Sequence, residues 1–423
     1  MFENLIAQPA SNLLIDDIAF TRLPPSILFS GQTSSGKLTA ALELARILSC
    51  HEGTAHWTCA CASCRRHKEL SHPDVIIMGP RDCILEIRAA SEAFLRSRSL
   101  ASRFLFIRAI KKLVLRFNPV LQDQSDTKFS RVIPLLTEID ERLEELSPAR
   151  PLPEDFAIVE KTVNMLVIAA EKLEDDFLYD SIPVNQVRNV SSWVRLSPSD
   201  KKKILIIENA DRMQDAARNA FLKVLEEPPA DVVFILTTAR RGAIMPTILS
   251  RVRTYAFVDR QMESQHEVIS RVFHDTPREN ELLIGYFNRF LPVTPERIAE
   301  AAYDFINIVL LSAIDEGRKP LAGMRTALSV NIPQQQQNGI KSVGTIVASL
   351  NKCKPGIVYR LFLSKIAGYM RESLRSGSVD ACETFVYTKW TELIRETLDS
   401  VDIYNIGAQS ALEKMLQGMK DAI

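Results

Sequence analysis

The chain has 423 residues, of which 46% are hydrophobic and 25% are charged, and this composition is typical of a globular protein of about two to four domains. Its 52 basic and 52 acidic residues give a formal net charge of zero, which excludes a protein that binds nucleic acid through an overall basic field. The first residues lack the pattern of a signal peptide and no apolar run is long enough to span a membrane, so we expect a cytoplasmic protein with no membrane contact.

A phosphate-binding loop is predicted near the amino terminus, between an apolar strand at residues 27–29 and a helix at residues 38–48. The candidate nucleotide-binding residues are Gly31, Gln32, Thr33, Ser34, Ser35, Gly36, Lys37, Leu38 and Thr39. Backbone N–H groups and the helix amino terminus would hold phosphate oxygens, and Lys37 would reach the β- and γ-phosphates.

The magnesium half of this loop is predicted to be damaged. The residue after the lysine normally offers a hydroxyl to Mg²⁺, but here it is Leu38. The hydroxyl of Thr39 is displaced by one residue and is therefore turned about 100° around the helix. ATP or ADP is left as a candidate ligand, whereas a normal magnesium site is not expected.

Four of the seven cysteines lie close together, at Cys50, Cys59, Cys61 and Cys64. In a reducing compartment such clustering favours metal binding over disulfides, and four thiolates form a closed tetrahedral zinc site. A histidine could replace one of these ligands, and the nearby histidines are His51, His56, His67 and His72. The alternative is four unconnected free thiols. We predict a structural zinc with no open position for catalysis.

A second strand, predicted within residues 201–213, ends in acidic residues and is a candidate Walker B element. An active NTPase needs a carboxylate for Mg²⁺ and a second carboxylate that polarises the attacking water. Those places are held by Glu208 and Asn209, and the amide of Asn209 cannot act as a base. We therefore expect water activation to be lost. The alternative interpretation is a buried strand with a polar end and no role in nucleotide binding.

Two further polar positions follow. A helix is predicted at residues 214–225 and a strand at residues 232–236, after which Thr238 is the candidate sensor 1 residue facing the nucleotide crevice. Arg251 lies shortly beyond that strand. An exposed arginine near the rim of such a domain can act in trans on a neighbour's phosphates, although a solvated surface arginine is the alternative.

The order of these features resembles the AAA+ clamp-loader family, and within it the delta prime group of bacterial DNA polymerase III subunits. The most specific similarity is the segment Ala-Arg-Asn-Ala-Phe-Leu-Lys-Val-Leu-Glu-Glu-Pro-Pro at residues 217–229. Residues 250–252, Ser-Arg-Val, stand where the family carries Ser-Arg-Cys. Further similar segments are residues 2–8, 23–29, 72–75 and 182–188. The resemblance covers residues 1–90 and 180–257 well and the remainder more weakly.

This resemblance implies an α/β AAA+ P-loop domain, with a parallel sheet flanked by helices, at residues 1–257. The zinc module would occupy residues 50–64, and a helical insertion about residues 91–179. A helical lid at 258–325 and an all-α collar domain at 326–423, through which subunits oligomerise, would follow. The helical pattern after about residue 258 is interrupted at Pro292, by a predicted loop at 332–337, and at residues 354–355.

The implied function is that of a subunit of the DNA polymerase III holoenzyme, a DNA-directed DNA polymerase. It would assemble with the gamma/tau and delta subunits to load the sliding clamp on primed DNA. Arg251 would be the arginine finger in trans, while Leu38, Glu208 and Asn209 each weaken hydrolysis in cis. The alternative is a gamma/tau-type ATPase that hydrolyses its own ATP. An unrelated P-loop kinase lacks any visible acceptor site.

The predicted insertion contains helical patterns at residues 94–117, 129–146 and 154–178. Its basic residues have two possible interpretations, a surface for DNA or a partner and a solvated helix face. They are Arg96, Arg98, Arg103, Arg108, Lys111, Lys112 and Arg116.

Overall fold

The computed structural model describes residues 1–122, 127–318, 321–331, 342–350, 356–375, 379–402 and 406–423. The chain divides into two compact units, Met1–Phe290 and Leu291–Ile423. None of the helices in these described ranges is long and apolar enough to cross a membrane.

The first unit is built on one parallel sheet. Its strands are β1 (Ser26–Ser30), β2 (Val75–Met78), β3 (Lys203–Ile207), β4 (Val232–Thr238) and β5 (Arg253–Ala256), in the order β2-β3-β4-β1-β5. Every neighbouring pair is parallel. The central strands are continuous apolar runs because helices cover both faces of such a sheet. The predicted parallel α/β architecture is therefore confirmed.

Alternation along β1 shows how one strand serves two cores. Ile27 and Phe29 pack on one face with apolar residues of the helix that follows the P-loop, whereas Leu28 packs on the opposite face. The helices of this unit are α1 (Ala10–Ala19), α2 (Lys37–Ser49), α3 (Ala62–Lys68), α4 (Ile84–Ser97), α5 (Leu100–Val114), α6 (Thr127–Glu145), α7 (Phe156–Phe177), α8 (Val184–Trp193), α9 (Asp215–Glu226), α10 (Pro246–Leu249), α11 (Met262–Val272) and α12 (Leu283–Asn288). Short 3₁₀ turns lie at Leu115–Phe117, Pro119–Leu121, Ala210–Arg212 and Arg241–Ala243.

Helices α4 to α7 share a separate core that includes Phe94, Phe106 and Leu166. The predicted helices at 129–146 and 154–178 are confirmed to within two residues at each end. The prediction of one helix over 94–117 is wrong, because Arg98 is left-handed at φ 51° and ends α4. Ser99 then starts α5, its hydroxyl accepting the N–H of Ser102.

The second unit is helical throughout its described residues, as predicted. Its helices are α13 (Pro295–Asp315), α14 (Ala322–Asn331), α15 (Val343–Ser349), α16 (Ile357–Arg375), α17 (Ala381–Asp402) and α18 (Ala408–Ala422). Phe305, Phe362 and Trp390 are fully buried within this unit. The boundary predicted between lid and collar at 325–326 falls inside α14. The loop predicted at 332–337 and the break predicted at 354–355 lie outside the described residues.

Candidate functional site

The P-loop joins β1 to α2 and needs glycine at two positions. Gly36, which precedes α2, has φ 94°, a left-handed conformation that favours glycine. A Cβ on Gly31 would lie 2.2 Å from the carbonyl oxygen of Phe257, so no side chain fits there. The N–H of Gly31 donates to the carbonyl of Thr238 at 3.2 Å, which ties the loop to the end of β4.

Lys37 is folded back onto its own loop. Its Nζ donates to the carbonyls of Gly31 at 2.7 Å and Gln32 at 2.5 Å, and to Ser35 Oγ at 3.3 Å. Burial lowers the pKa of Lys37 to about 8. In this arrangement the loop's own carbonyls take up the hydrogen bonds that phosphate oxygens would accept.

A second cation, Arg260, lies against the loop. Its guanidinium donates to the carbonyls of Ser34 at 2.7 Å and Ile6 at 2.9 Å. A Cβ on Gly36 would come within 2.6 Å of its Nη2 atom. Sequence reasoning missed Arg260 because no local pattern links it to a loop more than two hundred residues earlier in the chain.

The two residues after the lysine differ in exposure. Leu38 is only 5% exposed and packs in the core that α2 shares with the sheet. Thr39 is half-buried. The position that normally carries the metal-binding hydroxyl is therefore filled by an apolar core residue. Of the other predicted loop residues, Gln32 and Thr33 are exposed, whereas Ser35 is buried.

The acidic edge of the sheet, residues 208–211, directly follows β3. Glu208 is buried, and each of its oxygens accepts from a different arginine. Arg81 Nη1 donates to Oε1 at 2.8 Å, and Arg116 Nη2 donates to Oε2. Burial opposes ionisation, yet the two arginines hold the pKa of Glu208 below its ordinary value. Glu208 is thus an ionised carboxylate already neutralised inside the chain.

The structure explains why position 209 is an asparagine. It adopts a left-handed conformation at φ 49°, which asparagine tolerates better than most residues. Its side-chain amide donates to the carbonyl of Pro80 at 2.7 Å, and its N–H donates to Thr237 Oγ1 at 3.3 Å. Through its side-chain amide and its backbone N–H, Asn209 therefore holds the ends of β2, β3 and β4 together.

Thr238, the candidate sensor, contacts an acid that sequence reasoning did not single out. Its hydroxyl donates to Asp211 Oδ1 at 2.7 Å and accepts the N–H of Arg240 at 2.9 Å. Arg240 also pairs with the other oxygen of Asp211 at 2.9 Å. Asp211 could have been found, because it belongs to the polar run that follows the buried strand.

The acidic edge is joined to the helical insertion by a chain of alternating charges. Arg81 pairs with Glu86 at 2.6 Å, and Glu86 also accepts from Lys112 near the end of α5. Burial opposes the charge on Glu86, but Lys112 and Arg81 lower its pKa to about 2. One turn further, Arg116 reaches Glu208. Arg81 was not singled out from the sequence, and Arg116 was noted only as one basic residue of the insertion, because their partner lies about a hundred residues away.

Most basic residues of the insertion are used inside the fold. Buried Arg103 donates to the carbonyls of Leu146 at 2.8 Å and Arg150 at 2.9 Å, closing the turn after α6. Arg108 and Lys111 donate to the carbonyls of Lys68 and Glu69, which end α3. These residues therefore bind backbone carbonyls within the fold, and Arg103, which is buried, does not belong to a solvated helix face.

The predicted metal ligands come together. The sulfur atoms of Cys50, Cys59, Cys61 and Cys64 all lie within 4.8 Å of one another, and the Cys50–Cys59 distance is 3.8 Å. A regular tetrahedron with Zn–S bonds of about 2.3 Å has sulfur atoms about 3.8 Å apart, so the residues fit zinc. Among the described residues, this is the one group of this kind that could hold a metal ion.

The nearby histidines have other partners. His51 Nε2 lies 2.7 Å from Asp200, and His56 lies 3.4 Å from Glu3. The rings of His67 and His72 stack with their centroids 4.2 Å apart. In the structure the four cysteines, and not a mixed set with histidine, form the cluster.

Arg251 lies at the surface just after α10. Its side chain is 34% exposed and pairs at 2.8 Å with Glu226, which is 52% exposed. It also donates to the carbonyl of Thr247 at 2.9 Å. Glu226 is the last residue of α9 and belongs to the segment 217–229 that carries the most specific family resemblance.

Comparison with known proteins assigns this sequence to a family. The family model described as "DNA polymerase III, delta subunit" matches residues 6–116 and 153–261, which is just over half of the chain. The gap between the two matched segments, residues 117–152, lies in the middle of the predicted insertion.

Three relatives show the same relationship. The chain is 26% identical over 201 residues to DNA polymerase III subunit delta' of Bacillus subtilis, covering 45% of this chain and 58% of that relative. It is 32% identical over 129 residues to the delta' subunit of Pseudomonas aeruginosa, covering 30% of this chain and 39% of the relative. It is 28% identical over 204 residues to subunit tau of Bacillus subtilis, covering 48% of this chain and 30% of the relative.

A solved gamma subunit-related protein of Thermotoga maritima superposes with a TM-score of 0.27 and 17% identity, covering 61% of this chain and 90% of that one. That score is too low to support a conclusion. The family match rests on residues that include the P-loop, the cysteine cluster, the acidic edge and Arg251. The protein therefore belongs to the DNA polymerase III delta subunit family, a clamp-loader family.

Proposed function

We propose that this chain is a delta prime-type clamp-loader subunit, which assembles with gamma/tau and delta subunits to load the sliding clamp on primed DNA. In this role it supplies Arg251 to ATP bound by a neighbouring subunit and does not hydrolyse ATP itself. The observation that carries the proposal is the contrast between Glu208, buried between two arginines, and Arg251, which lies at the surface.

The loss of hydrolysis in cis is supported by three positions. Leu38 fills the place of the metal-binding hydroxyl, Glu208 is neutralised by arginines, and Asn209 has its amide on a backbone carbonyl. Mg²⁺ coordination and water activation both need carboxylate or hydroxyl oxygens that face the nucleotide. Each of these oxygens is missing or already paired.

The action of Arg251 in trans is supported by its exposure and by its single exposed carboxylate partner. An ion pair of this kind contributes about 0–1 kcal/mol, so Arg251 can exchange Glu226 for a phosphate at little cost. An arginine finger accelerates phosphoryl transfer by about 10³–10⁵.

The test is the ATPase rate of a complex reconstituted from this chain with gamma/tau and delta subunits, stimulated by the clamp and primed DNA. Arg251→Ala should lower that rate by orders of magnitude while the complex still assembles, as judged by size-exclusion chromatography. Arg271→Ala is the matched control, because Arg271 also forms an exposed pair with a glutamate, at 3.1 Å. An unchanged rate for Arg251→Ala would refute the trans role.

A second candidate is a gamma/tau-type subunit that hydrolyses its own ATP. The similarity to a tau subunit over about half of this chain favours it. This candidate predicts magnesium-dependent ATPase activity in the isolated chain, and Lys37→Ala would abolish that activity. Absence of such activity in the isolated, folded chain would favour the delta prime-type role.

We also propose that the four clustered cysteines bind zinc. Four thiolates would close the coordination sphere, so the metal would stabilise the segment between α2 and β2 and would not catalyse. Zinc content of the purified chain, measured by atomic absorption, should be close to one equivalent and should fall in Cys64→Ser. The exposed Cys382 provides the matched control, since Cys382→Ser should retain the metal.

The lid at 258–325 and the oligomerising collar at 326–423 remain proposals as well. Phe385 on α17 is 62% exposed, so its ring is accessible to another subunit. Phe385→Ser should weaken assembly with the partner subunits while leaving the thermal stability of the isolated chain unchanged. If this variant assembled fully with the partner subunits, Phe385 would not be part of the contact between subunits.

A further inference from the structure

The two arginines at the acidic edge are not explained by the proposed role of Arg251. Arg81 lies after β2 and Arg116 lies after α5, yet both guanidiniums converge on one carboxylate, that of Glu208. The side chain of Glu208 is 7% exposed and that of Arg116 is 1% exposed. Arg81 is 27% exposed. Burying charged groups such as Glu208 and Arg116 is expensive unless each charge is matched and hydrogen-bonded.

The position of this cluster identifies what it displaces. Glu208 ends β3, which pairs with β4, and the P-loop leaves β1 on the other side of β4. Lys37 lies close enough to Glu208 and Arg81 for both charges to affect its own ionisation. In P-loop NTPases the carboxylate at this place faces the magnesium ion that bridges the phosphates.

The charges also balance. A magnesium ion would bring two positive charges to the carboxylate, and two guanidiniums bring the same number. Arg81 takes Oε1 and Arg116 takes Oε2, so both oxygens of Glu208 already have strong donors. A hydrated Mg²⁺ requires at least one free oxygen ligand and near-octahedral space, which the two planar groups occupy.

We propose that Arg81 and Arg116 take the place of magnesium at Glu208, with the helical insertion supplying one of the two charges through Arg116. The insertion then acts as an internal counterion for the acidic edge and holds it in one conformation with or without nucleotide. This inference deepens one element of the proposed function, the neutralised carboxylate of Glu208, but its test uses the isolated chain and does not depend on Arg251 or on the partner subunits.

The remainder of α5 supports the same assignment. Lys112 pairs with Glu86, which in turn pairs with Arg81, so the second arginine is also held by the insertion. Arg108 and Lys111 fix the other side of α5 to the end of α3, beside the cysteine cluster. The helix is therefore anchored along its length in the position that presents Arg116.

The experiment measures the thermal stability of the full-length, zinc-loaded chain with and without millimolar Mg²⁺. Wild type should not respond to Mg²⁺, whereas Arg116→Met should be destabilised and should recover part of the lost melting temperature when Mg²⁺ is added. The double variant Arg116→Met with Glu208→Gln should not recover with Mg²⁺, because the carboxylate is gone. No chelator is used, since it would strip the zinc.

Lys161→Met is the matched control, because Lys161 lies on α7 of the same insertion but is exposed and is not part of the cluster. It should remain indifferent to Mg²⁺. If Arg116→Met does not fold, Arg81→Met replaces it, because Arg81 is partly exposed and its loss costs less. The proposal is overturned by stabilisation of wild type by Mg²⁺ that Glu208→Gln removes, or by a folded arginine variant that Mg²⁺ does not rescue.

Discussion

The acidic edge and the surface around Arg251 are both arginine–glutamate contacts, but they differ in burial. Glu208 is 7% exposed and is held by two guanidiniums, whereas Arg251 and Glu226 are 34% and 52% exposed and form a single pair. Removing a partner from a buried pair leaves an uncompensated charge, while an exposed pair is screened by water. The buried contact of Glu208 is therefore kept as long as the protein is folded. The exposed pair of Arg251 and Glu226 can separate so that Arg251 binds another partner.

This difference assigns the two arginine sets different roles. Arg81 and Arg116 belong to the interior and neutralise a carboxylate that would otherwise attract a cation. In the proposed role, Arg251 exchanges its exposed partner Glu226 for a phosphate outside the chain. One domain thus combines a closed site in cis with an open arginine, which is the arrangement expected of a subunit that acts on a neighbour's nucleotide.

The largest expected effect is at the buried contact. Glu208→Ala leaves Arg81 and Arg116 facing each other without their common carboxylate, so the free energy of unfolding should fall by about 3–5 kcal/mol. Urea denaturation followed by circular dichroism measures the change. A loss below about 1 kcal/mol would mean that the carboxylate of Glu208 is solvated in solution. The contact of Glu208 would then not differ in burial from the exposed pair of Arg251 and Glu226.

A pH-dependent effect should arise beside the same edge, at Glu174 on α7. Burial raises the pKa of Glu174 to about 8 from 4.5, and Asp82 contributes further. Between these pH values the folded protein keeps a proton that the unfolded chain has released, so this carboxyl destabilises the fold increasingly as pH rises towards 8.

Glu174→Gln should therefore stabilise the protein at pH 8 and have no effect near pH 4. The glutamine can still accept the N–H of Cys83, which donates to Glu174 at 2.9 Å. Because the side chain is half-buried, we expect a gain of about 1–2 kcal/mol at pH 8. Melting temperatures of both proteins across that pH range test this, and parallel curves would contradict it.

The sequence predicted the parts of the site that depend on local pattern. The P-loop, the strand before Glu208 and the four cysteines all follow from short spacings, and the structure brings the cysteines together as expected. The contacts of Glu208 and of the P-loop carbonyl of Ser34 could not be predicted, because Arg81, Arg116 and Arg260 reach them from distant segments. The contacts of the basic residues of α5 could not be predicted for the same reason, because periodicity shows a charged face but not the carbonyls to which its residues donate.

The smallest expected effect on stability is at the exposed pair. Arg251→Ala and Glu226→Ala should each change the free energy of unfolding by less than about 1 kcal/mol, since an exposed pair contributes little. Urea denaturation under the conditions used for Glu208→Ala gives the direct comparison. A loss as large as that of Glu208→Ala would show that Arg251 is a structural residue.

The same two variants should differ in the reconstituted complex. Arg251→Ala should abolish most of the stimulated ATPase activity, whereas Glu226→Ala should keep it within about fivefold of wild type, because only a contact worth about 1 kcal/mol or less is lost. If Glu226→Ala lost as much activity as Arg251→Ala, the pair itself would be the functional unit, and Glu226 would position the arginine instead of merely holding it between encounters.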